Sequence, residues 1–208
     1  MKRIILVRHG STGLMKSVLC GRMSGVHLNG HGINEAETLA WRLAPGLRAS
    51  VIFTSPMERA IETAAPLARS LRANIRIMPG FNECDFGDWT GLSFAALDSR
   101  RDWKAFNERR CTAKAPLGES LFDVQCRAVA AVKGLIKPSS ESDVVVFTHA
   151  DVIRSALCFF TAMPLQSYLQ YSAEPASLRV LENTNGALRL TDFVGQLGKL
   201  RPIGNRPV

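Results

Sequence analysis

The sequence predicts an α/β fold: a three-layer α/β/α sandwich around a mainly parallel central sheet. Short apolar runs rich in valine and isoleucine recur at 4–7, 51–53, 75–78 and 144–147, as is typical of buried parallel strands. Segments with helical periodicity lie between these runs. Strands that alternate with helices favour a parallel sheet that is covered by helices on both faces.

Capping residues predict where three helices begin. Asn29 can cap a helix that extends to about Leu43, where Pro45-Gly46 ends it. In Ser55-Pro56-Met57-Glu58, a capping serine precedes proline at the first helical position and glutamate at the third, which predicts a helix that begins at Pro56. A further helix is predicted after Ser120, where apolar residues recur at helical spacing (Leu121, Val124, Ala128, Val132 and Leu135).

The remaining elements complete one domain, which we expect to span residues 1–195. A helix over about 151–162 follows the fourth strand, and residues 176–182 and 187–193 predict a terminal hairpin. We expect a small helical cap at about 92–118; its basic residues Arg109, Arg110 and Lys114 are either solvated or in contact with an anionic part of a substrate. The last residues, 196–208, predict a basic tail that contains glycine and proline.

Composition limits the classes of function. No apolar run in the sequence approaches the length of a membrane span, and the first is too short for a signal-peptide core, so we expect a cytoplasmic protein without membrane partners. The five cysteines form no CxxC pair and the four histidines no HExxH motif, which argues against a disulfide framework and a zinc site. We therefore expect no metal and no cofactor.

The net charge of +8 favours an anionic partner. The basic residues are spread along the chain without a long lysine and arginine block, so we expect a small phosphorylated substrate and no nucleic acid.

Polar residues follow three of the predicted strands. Arg8-His9 comes directly after the first strand, Thr54-Ser55 follows the second and starts the helix that holds Arg59, and Thr148-His149 follows the fourth. In such sheets, ligands bind beyond the carboxyl ends of the strands. Two histidines and two arginines are therefore predicted to meet at one edge.

This set of side chains fits the binding and transfer of a phosphoryl group. Arg8 and Arg59 can supply planar, bidentate donors to a phosphate dianion, and the helix starts near Ser55 and Ala150 add favourable dipoles. Gly10 can let the main chain approach closely. A neutral imidazole is a competent nucleophile, and a second, cationic one can stabilise charge on the transferring group.

A general acid for the leaving alcohol is also needed. The stretch GFNECDFGDWTG after the third strand offers Glu83, Asp85 and Asp88. Their spacing alone does not choose among the three carboxyl groups.

The sequence resembles the histidine phosphatase superfamily, in its phosphoglycerate mutase-like branch, over most of its length. The resemblance rests on six blocks in order: RHGST (8–12), GRMSGVHLNGHG (21–32), TSPMERAIETA (54–64), FNECDFGDWTG (81–91), GES (118–120) and FTHADVIRSAL (147–157). It implies a phosphoglycerate mutase-like fold for residues 1–195.

The resemblance also implies roles for residues of this sequence. His9 would be the nucleophile that becomes phosphohistidine, and Arg8, Arg59 and His149 would hold the phosphoryl group. Glu83 would be the acid that then activates water. Substrate contacts are expected from Thr12, Arg22 and Ala150. No metal is expected, because two arginines and a histidine supply the positive charge.

Three functions stay open at the level of sequence. A phosphatase is favoured, because Gly118 lies 35 positions after Glu83, too close for the longer insertion of the true mutases. Phosphoglycerate mutase-type transfer and a non-catalytic protein that binds anions or nucleic acid are the alternatives. The substrate (a phosphoglycerate, sugar phosphate, nucleotide or α-ribazole phosphate) stays open, and a homodimer is possible.

Overall fold

Six strands alternate with α-helices in the computed structural model, which describes residues 3–136, 142–184 and 187–191. The strands are β1 (Arg3–Arg8), β2 (Val51–Thr54), β3 (Asn74–Ile77), β4 (Val144–Thr148), β5 (Leu178–Thr184) and β6 (Ala187–Thr191). The helices are α1 (Gly30–Leu43), α2 (Glu58–Leu71), α3 (Phe94–Asp98), α4 (Arg101–Glu108), α5 (Leu121–Gly134) and α6 (Ala150–Phe160). The four predicted parallel strands are confirmed, each within about one residue of its predicted run.

The strands form one sheet in the order β3-β2-β4-β1-β5-β6. β1, β2, β3 and β4 pair in parallel, while β5 is antiparallel to β1 and forms a hairpin with β6. The prediction of a mainly parallel sheet is confirmed. Because β1 and β4 are neighbours, with Arg8 opposite Thr148, the residues that follow both strands come to the same place.

Alternate side chains of the sheet enter two separate cores. In β1, Ile4 and Leu6 pack into the core that α5 and α6 cover, and Ile5 and Val7 pack into the core that α1 and α2 cover. All four are at most 1% exposed. Burial on both faces explains why the strand is a continuous apolar run, and it confirms the three-layer α/β/α sandwich.

Two of the predicted helix caps are confirmed. The Asn29 side chain accepts a hydrogen bond from the Gly32 amide at 2.8 Å and caps α1. Ser120 caps α5, where its hydroxyl accepts from the Asp123 amide and the Asp123 carboxylate accepts from the Ser120 amide, which is a capping box.

The predicted start of α2 is wrong. The helix begins at Glu58 with Met57 as its cap residue, not at Pro56 after a Ser55 cap. The Ser55 hydroxyl accepts from the Met57 amide at 3.3 Å and also lies 2.7 Å from Nε2 of His149. The serine therefore makes a local and a tertiary contact, but the helix begins only at Glu58.

Two predicted features are only partly described. Helices α3 and α4 lie within residues 92–118, whereas the role of this segment as a cap and the domain boundary at 195 stay predictions. The tail at 196–208 lies outside the described residues. Within the ranges that the structure describes, no helix has both the length and the apolar character that crossing a membrane requires.

Candidate active site

The two histidines that the sequence predicts as partners meet at the carboxyl ends of β1 and β4. The His9 amide donates a hydrogen bond to the Thr148 carbonyl at 3.0 Å, which extends the β1–β4 pairing by one residue. The His9 and His149 ring centroids are 5.2 Å apart. Arg59, in the first turn of α2, reaches both rings: its Nε lies 3.3 Å from His9 Nε2 and its Nη2 lies 3.4 Å from His149 Nδ1.

A cavity of about 420 Å³ opens beside these residues. Its walls come from the segment after β1, from α2, from the loop that holds Glu83, from the 94–110 segment and from the start of α6. The lining residues used below are Arg8, His9, Thr12, Met15, Lys16, Val18, Leu19, Arg59, Glu83, Phe86, Phe94, Trp103, Arg110, Ala150 and Asp151. The volume suits a small-molecule ligand.

The tautomer of His9 follows from its hydrogen bonds. Its Nδ1 lies 2.7 Å from the Gly10 carbonyl oxygen, which can only accept, so Nδ1 carries the proton. Nε2 is therefore unprotonated, and its lone pair accepts from Arg59 Nε at 3.3 Å. Burial, followed by the charge of Arg59, lowers the pKa of His9 to about 3. The imidazole is therefore neutral at physiological pH, as a nucleophile must be.

Arg8 and Arg59 present buried N–H groups to this place. Arg8 donates from Nη1 to the Ala173 carbonyl at 2.6 Å, and Arg59 from Nη2 to the Gly21 carbonyl at 2.7 Å. Arg8 Nε and Arg59 Nη1 are buried and make no hydrogen bond with any residue that the structure describes. Burial lowers the pKa of both guanidinium groups. Buried, unsatisfied cationic donors indicate a site for an anion.

His149 is fully buried behind His9. Its Nε2 lies 2.7 Å from the Ser55 hydroxyl and its Nδ1 lies 3.6 Å from Glu83 Oε2. Burial, followed by the charge of Arg59, lowers the pKa of His149 well below its ordinary value, which favours the neutral ring. A phosphate dianion beside it would favour the charged form, and the cationic role stays a prediction.

Of the three candidate acids, Glu83 lines the cavity. Its Oε1 accepts from the Cys84 amide at 2.8 Å. Burial, followed by the charge of Asp151, raises the pKa of Glu83 to about 7. Asp85 instead accepts a hydrogen bond from the Gly87 amide and forms an ion pair with Arg22. The Asp88 side chain is exposed. The geometry therefore separates three carboxyl groups that spacing left equivalent.

The predicted substrate contacts lie in two different places. Thr12 and Ala150 line the cavity. The Arg22 guanidinium instead pairs with Asp85 at 3.2 Å and with Glu119 at 3.0 Å, and its Nε donates to the Glu83 carbonyl at 2.9 Å. Arg22 therefore supports the loop that holds the candidate acid, and its contact with a substrate stays a prediction.

Sequence reasoning missed Arg127. Arg127 makes a bidentate ion pair with Glu119, with both N···O distances 2.9 Å, and donates to the carbonyls of Gly80, Asn82 and Glu83 at 3.0, 2.6 and 3.0 Å. Glu119 precedes the Ser120 cap of α5 and lies outside the helix, so helical spacing gave no signal for this pair.

The close approach at Gly10 involves a different neighbour from the one expected. A Cβ atom on Gly10 would lie 2.8 Å from the Gly32 carbonyl oxygen in α1, and the Gly10 amide donates to the Thr63 hydroxyl at 2.9 Å. The glycine therefore lets the His9 loop pack against α1, and a close approach of the main chain to phosphate stays a prediction.

Metal binding finds little support among the described residues, where no group of three or more His, Cys, Asp or Glu side chains is placed to hold an ion. The ligand chemistry that these residues do offer is that of an anion site.

Residues 4–194 match the sequence profile of the histidine phosphatase superfamily (branch 1). The chain belongs to this family.

Relatives within the histidine phosphatase superfamily carry several names. The chain is 28% identical over 207 residues to an acid phosphatase of Mycobacterium tuberculosis, covering 97% of this chain and 96% of that protein. It is 27% identical over 204 residues to a 2,3-bisphosphoglycerate-dependent phosphoglycerate mutase of Thermoplasma acidophilum, covering 93% and 96%. It is 29% identical over 160 residues to a bifunctional protein of Mycobacterium tuberculosis, covering 74% of this chain but only 43% of that protein's length.

A solved structure has the same fold. The structure of Bacillus stearothermophilus YhfR superposes with a TM-score of 0.83, covers 91% of this chain and 95% of that chain, and is 25% identical. The family and the shared fold agree with the phosphoglycerate mutase-like architecture that the sequence resemblance implies.

Proposed function

We propose that the chain is a phosphatase that hydrolyses a small phosphomonoester through a phosphohistidine on His9, with Glu83 as general acid and then general base. The observation that carries this proposal is the state of His9. Its proton is held at Nδ1 by the Gly10 carbonyl, so Nε2 is unprotonated and accepts from Arg59 Nε at 3.3 Å. Beside it, Arg8 Nε and Arg59 Nη1 are buried and make no hydrogen bond with any described residue.

In the first step, His9 Nε2 attacks phosphorus, and the bond from phosphorus to the ester oxygen breaks. The Glu83 carboxyl group gives its proton to the departing oxygen. A carboxyl group with a pKa of about 7 is about half protonated at neutral pH, so a large share of the molecules has the proton that a general acid requires. The buried guanidinium groups of Arg8 and Arg59 stabilise the charge on the transferring oxygens.

In the second step, water attacks the phosphohistidine and Glu83, now a carboxylate, accepts the proton. The bond from Nε2 to phosphorus breaks and its electron pair returns to the imidazole, which restores the starting state. His149 is proposed as a further phosphate ligand, with Thr12 and Ala150 as secondary contacts and Arg22 at the entrance. A mechanism without a metal, a cytoplasmic location and a homodimer are part of the same proposal and await test.

The test is to trap the covalent intermediate and to measure phosphate release over sugar phosphates, phosphoglycerates, nucleotides and α-ribazole phosphate. We expect an alkali-stable, acid-labile phosphoryl group on the peptide that contains His9. It should be lost in His9→Ala and kept in His31→Ala, because the His31 side chain is 74% exposed at the start of α1. Phosphate release that persists at the wild-type rate in His9→Ala would refute the mechanism.

A second assay separates phosphatase from mutase. With 3-phosphoglycerate and 2,3-bisphosphoglycerate together, a phosphatase releases inorganic phosphate. Rapid interconversion of the phosphoglycerates without release would assign the mutase function instead. Failure of both reactions, together with steeply salt-dependent binding of DNA or RNA, would favour the non-catalytic alternative.

A further inference from the structure

An ion pair lines the cavity. Arg110 follows α4, and Asp151 lies in the first turn of α6, two residues after His149. Arg110 Nη2 donates to Asp151 Oδ2, and both residues line the cavity. Their side chains are only 17% and 13% exposed, so this pair is largely withdrawn from solvent.

Packing holds the Arg110 guanidinium in place. Its Cζ atom lies 5.5 to 5.8 Å from three ring centroids, those of Phe86, Phe106 and Tyr168, which is within the range of cation–π attraction. Its main-chain carbonyl accepts from the Leu121 amide at 3.1 Å. Arg110 is therefore a fixed cation whose counter-charge, Asp151, is also fixed.

Another part of the cavity wall is apolar. It is formed by Met15, Val18, Leu19, Phe94 and Trp103. Lys16 also lines the cavity, but it is exposed at the rim, where water screens its charge and an ion pair contributes little. The cavity therefore combines apolar surface with a cation whose Nη2 is paired with Asp151 and whose Nε is buried without a hydrogen bond to any described residue.

We propose that Asp151 cancels the charge of Arg110 and so makes the cavity select phosphomonoesters of uncharged, partly apolar alcohols over esters whose alcohol carries a carboxylate. The inference rests on the proposed phosphatase function. A substrate carboxylate near Arg110 would have to displace Asp151 or lie beside it, and either arrangement leaves a desolvated anion without its counter-charge.

Two variants should change selectivity in opposite directions. Asp151→Asn keeps the shape but frees the cation of Arg110, so a substrate carboxylate gains a partner. Arg110→Gln leaves Asp151 with only the longer contact to Arg154, at 3.9 Å, so a substrate carboxylate is repelled more strongly. The double variant has neither charge and should lie between the two. Asp102→Asn, in the exposed Arg100–Asp102 pair of the same segment, is the matched control.

The experiment compares kcat/KM for glycerol 3-phosphate and 3-phosphoglycerate, which differ by a carboxylate but share a primary leaving alcohol, and adds 2-phenylethyl phosphate as the apolar ester. In the wild type we expect at least a tenfold preference for glycerol 3-phosphate over 3-phosphoglycerate and a further preference for 2-phenylethyl phosphate. Asp151→Asn should lower the first ratio at least tenfold, Arg110→Gln should raise it, and Asp102→Asn should leave it unchanged. Any effect of Asp151 on the pKa of Glu83 acts on both esters and cancels in the ratio.

The possible results are distinct. Wild-type turnover with a preference for 3-phosphoglycerate overturns the selectivity but leaves the phosphatase function standing, as does an Asp151→Asn ratio within twofold of the wild type. Absence of turnover for every ester refutes the phosphatase function itself and the selectivity with it. If Asp151→Asn does not fold, as judged by circular dichroism, the wild-type ratio and the Arg110→Gln ratio decide the question.

Discussion

Replacing Arg127 by lysine tests how firmly one side chain holds the backbone around Glu83. The guanidinium reaches the Gly80, Asn82 and Glu83 carbonyls and both Glu119 oxygens. A lysine ammonium keeps the charge but donates from a single nitrogen atom. It therefore cannot contact three backbone carbonyls and both oxygens of a carboxylate at the same time.

The structure sets the expected size of the effect. Arg127 makes five hydrogen bonds that involve a charged group, and loss of two or three of them without full additivity gives a loss of about 3 kcal/mol in the free energy of unfolding. For a chain of this length, that corresponds to a fall of roughly 10 °C in Tm. A shift of about 1 Å in the Glu83 loop should lower the acid-assisted step on the order of 100-fold.

The assay compares kcat/KM for an alkyl and an aryl ester, because kcat/KM reports the step that cleaves the ester. An alkyl alcohol such as that of 2-phenylethyl phosphate needs protonation as it leaves, whereas 4-nitrophenolate needs little. Arg127→Lys should therefore lower kcat/KM for the alkyl ester on the order of 100-fold, and for 4-nitrophenyl phosphate by less than about fivefold.

The control is Arg69→Lys, in an exposed pair with Glu37, which should change neither stability nor rate appreciably. Equal losses on the two esters would refute the reasoning, because they would show that Arg127 does not act through the position of the general acid. Loss of stability with unchanged rates on both esters would do the same.

Three further predictions concern the same site and its support. The acid-assisted step needs protonated Glu83, whose pKa is about 7, so kcat/KM for an alkyl ester should be close to its maximum at pH 6 and should fall as the pH rises through about 7. The Glu83→Gln variant should have low activity, and its kcat/KM should not show this fall with pH. Ser55→Ala removes the hydroxyl 2.7 Å from His149 Nε2 and should lower the free energy of unfolding in urea by about 1–3 kcal/mol; no change would mean that the bond adds no stability. Gly32→Ala should destabilise by about 1–3 kcal/mol, because its Cβ would lie 2.1 Å from the backbone of the neighbouring loop, whereas Gly13→Ala, with nothing within 4 Å, should be close to neutral in the same titration.

Signals confined to a few neighbouring residues predicted the elements of this fold correctly. The apolar run of β1 is buried on both faces, and Asn29 and Ser120 cap their helices as expected. Ser55 shows the limit of such signals. Its local sequence resembles a helix cap, and its hydroxyl does accept from the Met57 amide, but α2 begins only at Glu58 and the same hydroxyl also contacts His149. A partner 94 positions away leaves no mark on the local pattern.

The candidate site was also predictable from the sequence only in part. Arg8, His9 and His149 were predictable as neighbours because they follow strands of one parallel sheet, whose carboxyl ends meet at one edge. Residue spacing could not distinguish Glu83 from Asp85 as the general acid, because both lie in one loop. The direction of each carboxyl group depends on contacts with Arg22 and other residues distant in sequence.

By itself, therefore, the sequence determined the strand and helix pattern, the sandwich and the edge at which the polar residues gather, since all of these depend on burial and on the period of each element. The tertiary structure alone decided three matters: the neutral state of His9 with its proton at Nδ1, the support of the Glu83 loop by Arg127, and the pairing of Arg110 with Asp151. Each depends on distances between side chains and on the exclusion of water around them, which arise only when segments far apart in the chain pack together.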